Sequence, residues 1–384
     1  MKPLRIAMIG QRSIPATYGG VERAVEELGA RLVERGHSVT AFCWRADRAP
    51  KTYRGIVNRN VPAIPGKHLR AFSQSVVATI AALSGAYDVV HFHAMGPALC
   101  APLLRLRPSC RIVATVQGRD DRRSKWGPIA QRIIRIGAWS TARVAHETIV
   151  VSRQLEEDYR VEFDRQSTYI PNGVDDPGPV LGTEELERMD LKPNGYFLYV
   201  GRLVPEKGID MIPAAYALVD SDLPMIIVGT AAGTNAYVEV TRAAARGDSR
   251  VQFVGERRGE ALRQLFANAR AVVMPSHLEG LPIVLLEAVS FGTAIVCSDI
   301  APILEVVGTT SRPGARIFRD GDVNGFAAAL RENLSDGDDE ILAETTQLRG
   351  EVLQTFSWAG VTDRTEAVYA EAVASRRRVP RASR

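Results

Sequence analysis

The sequence predicts two doubly wound α/β domains, and three observations carry that prediction. Short β-rich runs alternate with helical stretches along the whole chain, and most of these runs are apolar at nearly every position. The segment DDPGPVLGTEELERMDLKPNG at 175–195, rich in Pro, Gly and charge, divides this rhythm in two. Apolar strands buried on both faces and separated by helices form parallel sheets, and a Pro/Gly-rich charged segment is the composition of an inter-domain linker. A length of 384 residues fits two or three domains.

In the first half the expected strands are LRIAMIG (4–10), SVTAFCW (38–44), DVVHFH (88–93), RIVATV (111–116) and ETIVVS (147–152). Between the first two, VERAVEELGARLVERG places Val21, Val25, Leu28, Leu32 and Val33 on one helical stripe. The second half repeats the pattern with YFLYVG (196–201), MIIVG (225–229), VQFVG (251–255), AVVMPS (271–276) and TAIVCS (293–298). Within HLEGLPIVLLEAVSFGTAIVCSD (277–299), Pro282 is a natural first helical residue and Phe291-Gly292 a natural helix end.

With 46% hydrophobic residues the chain can build two cores. Its net charge of +4 is unevenly spread: residues 1–176 hold 26 basic against 16 acidic residues, residues 177–384 hold 22 against 28. Four cysteines without C-x-x-C spacing indicate neither zinc nor a disulfide framework and favour a reducing compartment. The seven-residue apolar run near the N-terminus is too short for a signal-peptide core, and no run reaches about 18 apolar residues. The expected location is cytoplasmic.

Three constellations carry chemistry. GQRSIPATYGGVE follows the first strand, and Gly19 and Gly20 let the backbone before a helix approach a phosphate or sugar; the spacing is not the G-x-G-x-x-G of dinucleotide binding. YVGRLVPEKGID (199–210) places Arg202 and Lys207 in a loop after a strand, where two cations suit a diphosphate; taken alone, Arg-x4-Lys reads first as exposed charges beside a helix start. Glu279 and Glu287 lie eight residues apart, one in a loop and one inside an apolar helix whose N-terminus attracts phosphate.

Together with DVVHFH, PNGVD (171–175) and the Glu279-x7-Glu287 motif in PSHLEGLPIVLLEA, these stretches resemble the retaining glycosyltransferases of family 4 over nearly the whole chain. The first segment is most similar to bacterial rhamnosyl- and mannosyltransferases of surface-polysaccharide synthesis. The resemblance implies an α/β GT-B fold, two Rossmann-like domains facing each other across a cleft. It gives an acceptor domain at 1–176, a linker at 177–194, a nucleotide-sugar domain at 195–355, a helix at 356–375 crossing back to the first domain, and a basic disordered tail at 376–384. It implies a donor site in which Arg202 and Lys207 hold the diphosphate, backbone N–H groups near Ile283 and Val284 cap it, and Glu287 binds ribose. Glu279 binds the donor sugar, and Gly19, Gly20 and Gly201 approach the donor. His93, Gln117 and Asp120 become sugar- or acceptor-facing candidates. The implied partners are a nucleotide-sugar donor and a glycan or lipid-linked acceptor, with no cofactor and no metal.

Gln117 stands where many relatives place a histidine, and Gln can hydrogen-bond but cannot act as a base. Asp320-x-Asp322 resembles a metal-binding DxD, but Asp before NGFAAALREN is an ordinary helix N-cap. Residues 101–143 carry ten Lys or Arg and two Asp, with Trp126 and Trp139 interleaved, a pattern suited to an anionic membrane surface and equally to a solvated helix; no nucleic-acid motif accompanies it. The alternatives to a transferase are a sugar-nucleotide epimerase of the same fold and a non-catalytic sugar-nucleotide-binding protein.

Overall fold

The structure is a computed structural model and describes residues 2–17, 19–64, 66, 69–122, 127–231 and 234–375. It divides into two units, residues 1–173 with 358–384, and residues 174–357.

The first unit is built on β1 (Arg5–Ile9), β2 (Ser38–Trp44), β3 (Thr52–Tyr53), β4 (Ile56–Val61), β5 (Val89–His93), β6 (Arg111–Val116), β7 (Glu147–Val150) and β8 (Thr168–Tyr169). They form one sheet in the order β3-β4-β2-β1-β5-β6-β7-β8, parallel throughout except for the β3 edge. Five helices lie between the strands: α1 (Gly20–Glu34), α2 (Leu69–Ser84), α3 (Met95–Ala98), α4 (Pro128–Arg143) and α5 (Arg153–Phe163). The order reverses between β1 and β5, and doubly wound folds place their ligand crevice beside such a reversal. Gly10 is required there: its φ is +132°, and a Cβ would lie 2.2 Å from the His93 carbonyl oxygen.

The expected strands of this half are present, and β3, β4 and β8 are additional. β4 escaped the reading because Asn58, Arg59 and Asn60 interrupt its apolar residues, so IVNRNV forms no apolar run. The C-terminal helix Trp358–Ser375 belongs to this unit and packs on α1 and β6. His37 accepts from the Leu4 N–H at Nδ1, so its Nε2–H donates to Glu366 of that helix at 2.8 Å. Tyr369 bonds His91 Nδ1 at 2.7 Å.

The second unit follows the same logic. α6 (Glu184–Arg188) precedes β9 (Phe197–Val200), α7 (Met211–Tyr216), β10 (Met225–Val228), α8 (Asn235–Ala245), β11 (Val251–Gly255), α9 (Gly259–Asn268) and β12 (Ala271–Met274). Then come α10 (Ile283–Ser290), β13 (Ala294–Ser298), α11 (Ala301–Val307), β14 (Ala315–Phe318), α12 (Val323–Ser335) and α13 (Asp338–Thr355). The fully parallel sheet runs β11-β10-β9-β12-β13-β14 and reverses between β9 and β12. Its core joins Phe197, Ile227, Val273 and Val296 of the sheet to Ile212, Tyr216 and Phe326 of the covering helices.

Two boundaries differ from expectation. The segment 177–194 is not a free linker but part of the second unit. α6 packs on α9, burying Leu186; the buried Glu185 pairs with Arg257; and Arg263 donates to the carbonyls of Pro177 and Pro179 at 2.8 Å each. Helix α10 begins at Ile283, because Pro282 keeps an extended ψ of 113° and acts as the N-cap. The helix end holds: Phe291 is the C-cap, and Gly292 is left-handed at φ +77°. The tail 376–384 lies outside the described residues.

Candidate active site

The reversal between β9 and β12 gathers the loops that follow these two strands. Gly208 makes their contact close: its φ is +62°, and a Cβ would fall 1.9 Å from the Pro275 carbonyl oxygen. The His277 N–H donates to the Glu206 carbonyl at 3.0 Å, and Ser298 Oγ donates to the Ser276 carbonyl at 2.6 Å. Three chains of residues are thereby locked at one mouth.

Within this frame the Lys207 Nζ forms an ion pair with Glu279 Oε1, and Ser276 Oγ donates to the same oxygen at 2.9 Å. Both side chains are largely withdrawn from water, 18% exposed for Lys207 and 9% for Glu279. Arg202 is half-buried two residues past β9, where its carbonyl accepts from Tyr199 Oη at 3.1 Å. Burial first, and then the Glu279 charge, hold the Tyr199 phenol well above its ordinary value, so it stays neutral. Gly201 is half-buried beside that phenol, 2.9 Å from it at an added Cβ. Ile283 and Val284 are the first two residues of α10, where backbone N–H groups have no partner within the helix. Glu287 lies one turn further, half-buried.

Sequence reading missed Glu206, which is buried beside Lys207 with both carboxylate oxygens lacking a hydrogen-bond partner. Its PEK setting reads as a solvated loop, so nothing local announces the burial. Asp322 caps α12, accepting from the Gly325 N–H at 2.9 Å, and Asp320 bonds His277 Nδ1 at 2.5 Å.

Two family models cover the units in turn: "Glycosyltransferase Family 4" matches residues 18–176 and "Glycosyl transferases group 1" residues 185–347. The chain belongs to the family 4 glycosyltransferases. It is 28% identical to alpha-maltose-1-phosphate synthase of Mycobacterium tuberculosis, over 95% of this chain and 99% of the relative. It is 26% identical to O-antigen chain mannosyltransferase C of Escherichia coli, over 77% and 80%. The fold matches that of the Anabaena protein HepE, solved in complex with UDP-glucose, at a TM-score of 0.80 and 17% identity, covering 97% of this chain and 100% of that one. The fold is GT-B.

The other expected residues of this glycosyltransferase lie in the first unit. Gly19 is exposed in extended backbone, and Gly20 opens α1. The loop before them is braced by two buried carboxylates, Glu22 and Glu26, which the sequence reading did not single out. Glu22 accepts from the N–H groups of Arg12 and Thr17 at 3.1 and 3.3 Å, and Glu26 accepts from that of Ala16 at 2.6 Å.

His93 is 1% exposed and borders a partly open pocket with Thr115, Gln117, Asn172 and Trp358, beside the C-terminal helix. Its ring stacks 4.0 Å from that of His91, neither ring nitrogen has a hydrogen-bond partner, and burial pushes its pKa down to about 3. It is a neutral, buried residue at the carboxyl end of β5, on the wall of that pocket. Gln117, half-buried, edges the same pocket, and Asp120 begins a half-buried turn.

The segment expected to meet a membrane is partly committed elsewhere. Arg119 is 4% exposed and bonds Asp121, Asp158 and Glu162 at 2.7–3.0 Å, while Arg122 pairs with Asp158 and Glu162. Arg123 and Lys125 lie outside the described residues.

Proposed function

We propose that the chain transfers a hexose or deoxyhexose from a nucleotide-diphosphate sugar to a glycan or lipid-linked acceptor, with retention at the anomeric carbon, in cell-envelope or extracellular polysaccharide synthesis. The observation that carries the reading is the Lys207–Glu279 pair at the β9/β12 reversal, which sets a cation and a carboxylate side by side where a doubly wound sheet takes its ligand.

In this reading Lys207 and Arg202 meet the negative charge that grows on the departing diphosphate, assisted by the N–H groups of Ile283 and Val284. Glu279 holds sugar hydroxyls and Glu287 the ribose hydroxyls. The bond between the anomeric carbon and the diphosphate oxygen breaks, the acceptor oxygen bonds that carbon on the same face, and the acceptor proton passes to the leaving diphosphate. No protein base is required, which accords with Gln117 and with the burial of His93. The reaction is proposed to be metal-independent, since two cations already face the leaving group. The donor reading is supported by HepE, whose structure holds UDP-glucose, and the glycan reading by the O-antigen mannosyltransferase.

The test is release of nucleoside diphosphate from a panel of UDP-, GDP-, ADP- and dTDP-sugars with oligosaccharide and lipid-linked acceptors. Release that depends on acceptor supports transfer. Isomerisation of the donor without acceptor would instead establish an epimerase.

A further inference from the structure

We infer that the outer face of α4 docks on an anionic lipid surface, its apolar side chains entering the interface and its arginines meeting the headgroups. Toward its C-terminal end α4 packs inward and buries Gly137, Ala138, Ser140, Thr141 and Ala142. Its outer face presents Ile129, Ile133, Ile136 and Trp139 to solvent, 79%, 46%, 53% and 51% exposed. At about 100° per residue the three isoleucines share an arc of about 60°, with Trp139 on the adjoining arc. A stripe of this kind on a folded domain marks an interaction surface.

The surrounding charge selects the occupant. Arg132, Arg135 and Arg143 are exposed on the same outer side, and α4 holds no acidic residue. Neither α2 nor the short helix Ala101–Leu106 in the same layer holds one, and they expose Phe72, Ile80 and Leu106. The turn Asp120–Arg122 that packs against α4 brings Asp120 and Asp121, the latter paired with Arg119, and no other Asp or Glu occurs between 89 and 146. A second copy of this chain would set these arginines against their own kind, a like-charge contact that opposes pairing. An anionic bilayer answers both features at once, burying the isoleucines and tryptophan at headgroup depth and pairing the arginines with phosphate. Arg119 and Arg122, held by carboxylates, contribute little. The inference needs no sugar donor and stands apart from the proposed transfer.

Co-sedimentation of the full chain with vesicles tests it. Wild-type protein should pellet with phosphatidylglycerol-containing vesicles at about 0.1 M salt and not with pure phosphatidylcholine, and binding should fall as salt shortens the Debye length to about 3 Å at 1 M. The triple variant Ile129→Ser/Ile133→Ser/Ile136→Ser should bind at least tenfold more weakly with unchanged circular dichroism. Arg132→Gln/Arg135→Gln/Arg143→Gln should lose most of the salt dependence. Absence of pelleting with phosphatidylglycerol, equal pelleting with phosphatidylcholine, or undiminished binding by the isoleucine variant would overturn the inference. So would a concentration-dependent dimer that the isoleucine variant abolishes, which would give the face to a second copy.

Discussion

Lys207 and Glu279, 72 residues apart in sequence, are bonded to each other across the reversal of the second sheet. The cation assigned to diphosphate and the carboxylate assigned to sugar are thus a single unit before any ligand arrives. Each balances the other's charge in a site largely shielded from water, and in the proposed function an arriving diphosphate would compete with Glu279 for the ammonium.

Replacing Lys207 or Arg202 with Ala should lower turnover roughly a hundredfold, the scale of losing one transition-state donor. Steady-state kinetics with a competent donor would check this, and near wild-type turnover in either variant would remove that residue from the site.

Glu287→Gln should act on binding rather than chemistry. A ribose contact is held equally in ground and transition states, so KM for the donor should rise roughly tenfold with kcat little changed. An equal fall in kcat would place Glu287 closer to the reacting bond.

Acid should loosen the first unit before its carboxylates titrate. Burial depresses His93 to about 3 and His91 well below its ordinary value, with the neighbouring His93 charge adding to the effect on His91. In the unfolded chain both protonate near pH 6.5, so below that value the unfolded state binds more protons. Stability is therefore full above about pH 6.5 and is lost on acidification, by about 1.4 kcal/mol per pH unit for each fully depressed group. Urea midpoints should fall between pH 6.5 and 5, and a flat profile there would contradict the burial of these rings.

Arg119→Ala should destabilise the first unit by roughly 3–5 kcal/mol, because Asp121, Asp158 and Glu162 would lose the buried cation that neutralises them. Vesicle binding at neutral pH should be unchanged in that variant, which separates the ion cluster from the α4 face.

Transfer should persist in EDTA. Complete loss restored by Mg²⁺ or Mn²⁺ would contradict a clamp made of Arg202 and Lys207 alone.

Much of this was legible in the sequence, for a physical reason. Strands buried on both faces must be apolar throughout, so β1, β9, β12 and β13 announce themselves, and the loops after them are where ligands gather. β4 and β14 were not legible, since Asn58, Arg59 and Asn60 in IVNRNV and Arg316 in ARIF break what would otherwise be apolar runs. The loops that carry Arg202, Lys207 and Glu279 were readable through their motifs, but the Lys207–Glu279 bond is a tertiary fact. Pairing across sequence likewise hid Arg119, which reads as a surface charge and is buried by carboxylates about 40 residues away, and Glu22 and Glu26, whose partners are backbone N–H groups of the preceding loop. The 177–194 segment misled because its Pro and Gly content conceals two apolar anchors, Leu186 and Leu191.

The central claim is that the second sheet's reversal binds a nucleotide-diphosphate sugar through Lys207, Arg202 and Glu279. Thermal unfolding of the wild-type chain with a panel of UDP-, GDP-, ADP- and dTDP-sugars measures this most directly, since a ligand at 100 times its Kd adds about 2.7 kcal/mol. At least one donor should raise the midpoint, and that rise should vanish in Lys207→Ala and Arg202→Ala and shrink in Glu279→Gln. No rise with any donor, or a rise that survives unchanged in all three variants, would contradict the account.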